Sequence, residues 1–175
     1  SETFAAAKLF IDTPRWSGVP FYVRGGKRLQ KQYTEIAVTF KPSRLSGASQ
    51  GDVLFVRVQP HAGIHIKTRS RVPSLDSCLA SLCFGFIPET NFNARAPDAY
   101  EKLFYDAIRG DDTLFVDSEE QLAAWKFLAP VMDSWKKDPE RNLYAYPSGT
   151  WGPTQTDSLF GETGHQWQYL DNRLF

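Results

Sequence analysis

The stretch Val53 to Thr68, VLFVRVQPHAGIHIKT, decides the fold. Seven residues rich in β-branched and aromatic side chains lead into Pro60-His61-Ala62-Gly63, and an alternating segment returns from Ile64 to Thr68. This pattern predicts a hairpin with a four-residue loop. Side chains alternate across a strand. Leu54, Val56 and Val58 therefore share one face, and Val53, Phe55, Arg57 and Gln59 share the other. On the return strand Ile64, Ile66 and Thr68 oppose His65 and Lys67. One register places Arg57 and Gln59 beside His65 and Lys67 on a polar face, and a slip of one residue separates them.

Working outward, Thr34 to Phe40 also alternates, with Ile36, Val38 and Phe40 on one side and Glu35, Ala37 and Thr39 on the other. It reads as a half-buried strand. Thr3 to Asp12 is ambiguous, since three alanines favour helix while Phe10 and Ile11 suit a strand, and strand is preferred because Pro14 follows and no capping glycine does. Phe21 to Arg24 is a short strand that runs into Gly25-Gly26 and then Lys27, Arg28 and Lys31. The glycines offer a turn through positive φ and a close approach to a ligand, and the cations make that turn attractive to anions. Lys41 to Gly51 is a polar loop, and Ser81 to Ile87 is a further strand. Ala96 to Arg109 reads as a helix opened by Pro97 and Asp98 and ended by Gly110. Thr113 to Val116 reads as a short strand. Ser118 to Gln121 reads as a capping box for a second helix. Leu122, Trp125, Leu128, Met132 and Trp135 form its apolar stripe, and Pro130 is expected to kink it. From Asp138 the chain is punctuated by Pro and Gly but too aromatic for a disordered tail, so it is expected to pack as an anchored, irregular C-terminus.

The 175 residues suffice for one domain with a sizeable core. Lys+Arg and Asp+Glu both number 20, and this balance argues against general binding to nucleic acid or to a membrane surface. No apolar run approaches a bilayer span, and no secretory leader pattern opens the chain. Cys78 and Cys83 show neither a CxxC spacing nor a framework and read as free thiols in a reducing, cytoplasmic setting. The start Ser1-Glu2-Thr3-Phe4 reads as the interior of a longer protein.

The common chemical signatures are missing. No GxxxxGK[ST] or GxGxxG occurs, His61, His65 and His165 lack metal-ligand spacing, and GxSxG is absent. No catalytic or metal-ligating set is read. Two readings of the remaining cations stay open. Lys27 on its glycine-supported turn, with Arg57, Gln59, His65 and Lys67 on the hairpin, can form half of a phosphate-monoester site, in which ammonium groups act as point charges and Gln donates hydrogen bonds. Alternatively, each is a solvated surface charge.

These residues lie within a pattern that spans nearly the whole chain in order. It comprises Arg15-Trp16-x-Gly18-Val19-Pro20-Phe21, Arg24-x-Gly26-Lys27, Glu35-Ile36 and Val56-Arg57-Val58-Gln59-Pro60. It continues with Asp98-Ala99-Tyr100-Glu101-x-Leu103, Gly110-Asp111-x-Thr113-Leu114-Phe115, Ala123-Ala124-Trp125 and Tyr146-Pro147-x-Gly149-x-Trp151-Gly152-Pro153. Together they resemble the C-terminal domain of the bacterial-type, NADP-dependent glucose-6-phosphate dehydrogenase family.

The resemblance implies an α+β fold, a large, mostly antiparallel sheet with helices packed on one face, and a single domain over residues 1–175. That sheet makes the family's subunit contact, as a homodimer or homotetramer. The Rossmann domain that holds the catalytic NADP would precede this chain, along with the general-base histidine, so the chain alone is expected to be inactive. The substrate would be glucose 6-phosphate, oxidised to its lactone in the oxidative pentose phosphate pathway. By position, Lys27 matches a lysine that contacts the sugar phosphate, and Gln59 matches a glutamine near it. Gln32 stands where the family usually carries a substrate-binding Lys or Arg. Arg24, Arg57 and Lys67 match positions that hold a second, structural NADP in some eukaryotic members, while Tyr33, His65 and Trp151 replace other residues of that site. The rival readings are a stand-alone dimerisation module without a ligand and a relative acting on another hexose phosphate.

Overall fold

The computed structural model describes residues 3–42, 51–71, 79–93, 97–141 and 143–170. Cys78, Ala96 and most of the Lys41–Gly51 loop lie outside them. The chain divides into two compact units, Ser1–Ala94 with Tyr146–Phe175, and Arg95–Ala145.

The first unit is built from antiparallel strands. β1 (Phe4–Phe10) pairs with β2 (Pro20–Gly26). β3 (Thr34–Thr39), β4 (Val53–Gln59), β5 (Gly63–Arg71) and β6 (Leu79–Phe86) form a four-stranded sheet in sequence order. A short helix α1 (Pro88–Phe92) follows, and a 3-10 helix, Thr154–Phe160, lies in the returning C-terminal segment. The α+β class holds, and so do the strand readings in this unit. The hairpin register sets Phe55 opposite His65 and Val53 opposite Lys67, so the polar and apolar faces divide as the alternation indicates.

The two faces of the sheet are buried unequally. The covered side is the mixed one. Val53 and Phe55 pack with Leu170 from the C-terminal segment, with Cys83 against them, and Arg57 and His65 are buried on the same side. Gly85 lies opposite His65. A Cβ there would come within 2.6 Å of His65 Nδ1, so the missing side chain makes room for the ring. The all-apolar side is exposed: Ile36 by 55%, Val58 by 52% and Phe84 by 61%. Ile36, Val38 and Phe40 are therefore the open side of β3, and Glu35 is its covered side. The anchored C-terminus is borne out, with Phe160 and Leu170 both buried.

The second unit holds two helices. α2 (Ala99–Arg109) opens on Asp98, whose carboxylate accepts from Tyr100 N at 2.9 Å while Glu101 reaches back to the Asp98 amide, and Gly110 closes it at φ 70°. Pro97 thus precedes the cap rather than opening the first turn. Within α2, Lys102 pairs with the buried Asp106. The residues read as a strand, Thr113 to Val116, form a turn instead. The Asp111 carboxylate accepts from both the amide and the hydroxyl of Thr113, a local bond that competes with strand pairing. These bonds hold the Asp111 carboxyl below its usual range. α3 (Ser118–Lys137) is capped one residue earlier than expected, by Asp117, whose carboxylate accepts from Glu120 N at 2.7 Å. It runs on as helix through Pro130. Its stripe residues Leu122, Trp125 and Leu128 are exposed rather than in a core.

Candidate anion-binding turn

The candidate site is the segment between β2 and β3. The sequence suggested that Gly25 and Gly26 make the turn, but both belong to β2, opposite Ala5 and Phe4. The positive φ falls on Arg28 instead, at 52°. Gly26 serves a different purpose: a Cβ there would come within 2.6 Å of the Phe4 ring. Gly25 faces open space. The exposed Lys27 therefore leaves the end of a paired strand, with no side chain from the two preceding residues beside it.

What holds this turn comes from far away in the chain. Lys27 N donates to Thr3 O at 2.8 Å. The Tyr146 hydroxyl donates to Lys27 O at 2.8 Å and also lies 3.1 Å from Thr3 O. Gly149 N donates to Arg28 O at 2.9 Å, and Gln30 N donates to Thr150 O at 2.9 Å. Thr150 Oγ1 is bound to Pro147 O at 2.8 Å, closing the small loop that presents Gly149. Gly149 has φ 82°, a conformation that costs a side-chain-bearing residue about 1–2 kcal/mol. The Tyr146 and Phe4 rings pack at 5.4 Å. The Tyr-Pro-x-Gly-x-Trp-Gly-Pro segment is thus a bracket for the cationic turn.

Beside the turn runs a column of alternating cations and rings. The Arg57 guanidinium lies 4.4 Å from the Tyr33 ring, and Tyr33 packs on Trp151 at 5.6 Å. Arg24 sits among Trp151 at 5.0 Å, Trp167 at 4.3 Å and Tyr169 at 5.0 Å. Arg57 also donates from Nε to Oε2 of Glu35 at 2.8 Å, and its Nη2 lies 2.7 Å from the same oxygen in an ion pair whose side chains are 7% and 4% exposed. Burial and the Glu35 carboxylate push the Tyr33 phenol up, against the pull of Arg57 and Arg24. Burial, then the Arg57 charge, push His65 below the usual imidazole range.

The positions named from the sequence thus fall into three groups. Lys27 is exposed on the bracketed turn. Gln32 is exposed near its end, and Gln59 donates to Thr34 Oγ1 at 3.4 Å, two residues from Gln32. Arg24 and Arg57 meet through the aromatic column. Lys67 is not brought to them. Its cross-strand partner is Val53, whereas Arg57 faces Gly63. Four residues of strand, about 13 Å at 3.3 Å per residue, separate the two positions.

Arg57 is buried against Glu35, and Arg24 lies among indole and phenol rings. Sequence reasoning had no local signal for Tyr146, whose target is 119 residues distant. It also missed Glu35, which alternation marks only as a polar strand residue.

Fold and candidate site together describe an α+β domain that carries an exposed lysine on a turn bracketed by a distant segment. Residues 1–168 match the model of the glucose-6-phosphate dehydrogenase C-terminal domain, and the chain belongs to that family. It is 38% identical over 178 residues to the glucose-6-phosphate 1-dehydrogenase of Chlamydia pneumoniae, covering 97% of this chain and 35% of the relative. It is 37% identical to that of Mycolicibacterium smegmatis, covering 95% and 35%. Among solved structures, a glucose-6-phosphate dehydrogenase in complex with its substrate glucose-6-phosphate superposes with a TM-score of 0.82 at 27% identity, over 95% of this chain and 35% of that one. The enzyme from Mycobacterium avium superposes with a TM-score of 0.76 at 25% identity. The chain spans about a third of the length of these relatives.

Proposed function

We propose that residues 1–175 form the C-terminal, substrate-binding and subunit-contact domain of an NADP-dependent glucose-6-phosphate dehydrogenase, preceded in the full protein by a Rossmann domain. The reaction removes a hydride from C1 of glucose 6-phosphate to NADP and a proton from the C1 hydroxyl to a base, giving 6-phosphoglucono-lactone and NADPH. This domain contributes positioning rather than proton transfer. Lys27 binds the substrate phosphate as a point charge, with Gln32 and Gln59 as uncharged hydrogen-bonding neighbours. The reading places the enzyme in the cytoplasm; separately, none of the described helices is long and apolar enough to cross a membrane.

The observation that carries this reading is the exposed ammonium of Lys27 on a turn whose backbone is fastened at four points. A second observation favours the subunit-contact role: Ile36, Val38, Val58, Ile64, Ile66, Phe84 and Phe86 stand exposed on one face of the four-stranded sheet. Lys27→Ala in the full-length enzyme tests the first role. Loss of a charged hydrogen bond, about 1.5–3 kcal/mol, raises the KM for glucose 6-phosphate about 10- to 100-fold and leaves the KM for NADP unchanged. An unchanged substrate KM rejects the assignment. Light scattering tests the second role, and a monomer at micromolar concentration rejects it.

A further inference from the structure

We infer that Tyr146 is a positioning residue for substrate binding: its hydroxyl fixes the backbone of Lys27, and through it the reach of the ammonium group. The inference rests on the reading of Lys27 as the phosphate contact.

The geometry is specific. A phenol has one proton to donate, and the shortest contact is to Lys27 O, at 2.8 Å. Thr3 Oγ1 lies 3.4 Å from the phenol oxygen and can donate to its lone pair. The amide of the same Lys27 is tied to Thr3 O. Both polar backbone groups of the lysine that carries the charge are therefore held, one directly by Tyr146 and the other by the strand end on which Tyr146 also rests. The next carbonyl, Arg28 O, is held by Gly149 three residues further along the same bracket. Arg28 has φ 52°, a conformation that a bulky residue keeps only when its surroundings hold it. Without the bracket the turn relaxes toward negative φ, and the Lys27 side chain leaves with a different direction. A point charge aimed at a phosphate loses affinity when its placement is lost, even though the charge itself remains. The motif that supplies the bracket is thus a part of the substrate site that never touches substrate.

The test is a double-mutant cycle in the full-length enzyme with Tyr146→Phe and Lys27→Ala. Phe keeps the ring that packs on Phe4 and removes only the hydroxyl. Tyr146→Phe is expected to raise the KM for glucose 6-phosphate about three- to tenfold, the range of one neutral hydrogen bond, with kcat and the KM for NADP unchanged. In a Lys27→Ala background the same change is expected to have no further effect on that KM, because the group it positions is gone. A purely structural role would lower the melting temperature and leave the KM split untouched. A full Tyr146→Phe effect in the Lys27→Ala background overturns the inference, as does an unchanged KM in the single variant when Lys27→Ala raises it. If Lys27→Ala itself leaves the KM unchanged, the parent reading falls and this inference falls with it.

Discussion

Glu35→Gln is the most informative single change to the stability of the sheet. Glu35 and Arg57 are 4% and 7% exposed, and one carboxylate oxygen accepts from Nε at 2.8 Å and pairs with Nη2 at 2.7 Å. Removing the negative partner leaves a buried guanidinium facing a neutral acceptor in place of the carboxylate, over the face of Tyr33. Breaking such a pair costs about 3–5 kcal/mol. The amide oxygen of Gln keeps one hydrogen bond and puts the loss at the lower end, about 3 kcal/mol. For a protein or domain of this size that is about 6–12 °C in Tm. The assay is thermal unfolding of the full-length protein followed by near-ultraviolet circular dichroism, which the aromatic column around Tyr33 and Trp151 reports. The double variant Glu35→Leu/Arg57→Met removes both charges and is expected to recover most of the loss, because an apolar pair of similar volume avoids the desolvation cost. A Tm within 1 °C of the parent for Glu35→Gln would refute the reasoning. It would mean that the Arg57 charge reaches water and is open to an anion after all.

Other expectations follow from the same contacts. Gly85→Ala places a Cβ 2.6 Å from His65 Nδ1 and should cost about 1–3 kcal/mol in chemical denaturation, as overpacking does. Burial lowers the folded His65 pKa below its unfolded value, so the unfolded chain takes up a proton first as pH falls. Stability is full above about pH 6.5 and declines below it. His65→Gln should flatten that decline, seen as a stability gap between parent and variant that narrows from pH 7.5 to 5.5. Asp117→Ala removes the cap of α3 and should lower stability by about 1 kcal/mol, read as earlier hydrogen exchange in the first turn of that helix. Cys83, whose thiol is pushed up by burial, should react with a thiol reagent far more slowly than a free cysteine.

How much of this was legible in the sequence depended on the range of the forces involved. β4 and β5 were readable because alternation and the Pro60–Gly63 punctuation are local. α2 was readable because Asp98 and Glu101 cap it and Gly110 ends it within one short segment. The covered face of β3 was not readable. Periodicity separates Ile36 and Val38 from Glu35, but which side is covered depends on Arg57, Tyr33 and the C-terminal Leu170. The candidate turn was half legible. Lys27 stood out by its glycines and neighbouring charges, but those glycines remain in β2, and the fastening comes from Thr3 and Tyr146. Lys67 illustrates the opposite failure. Same-face parity is a property of sequence, whereas its distance from Arg57 is set by register, which only the folded hairpin defines.

The central claim is that Lys27 recognises the phosphate of the substrate and nothing else in it. The direct measurement is discrimination, as kcat/KM for glucose 6-phosphate relative to glucose, in the full-length enzyme and its Lys27→Ala variant. Glucose lacks the phosphate, so its kcat/KM should be the same in both proteins. The value for glucose 6-phosphate should fall about 10- to 100-fold in the variant, and the discrimination ratio with it. If both substrates lose activity by the same factor, Lys27 supports the fold or the chemistry in general, and its role as the phosphate contact is contradicted.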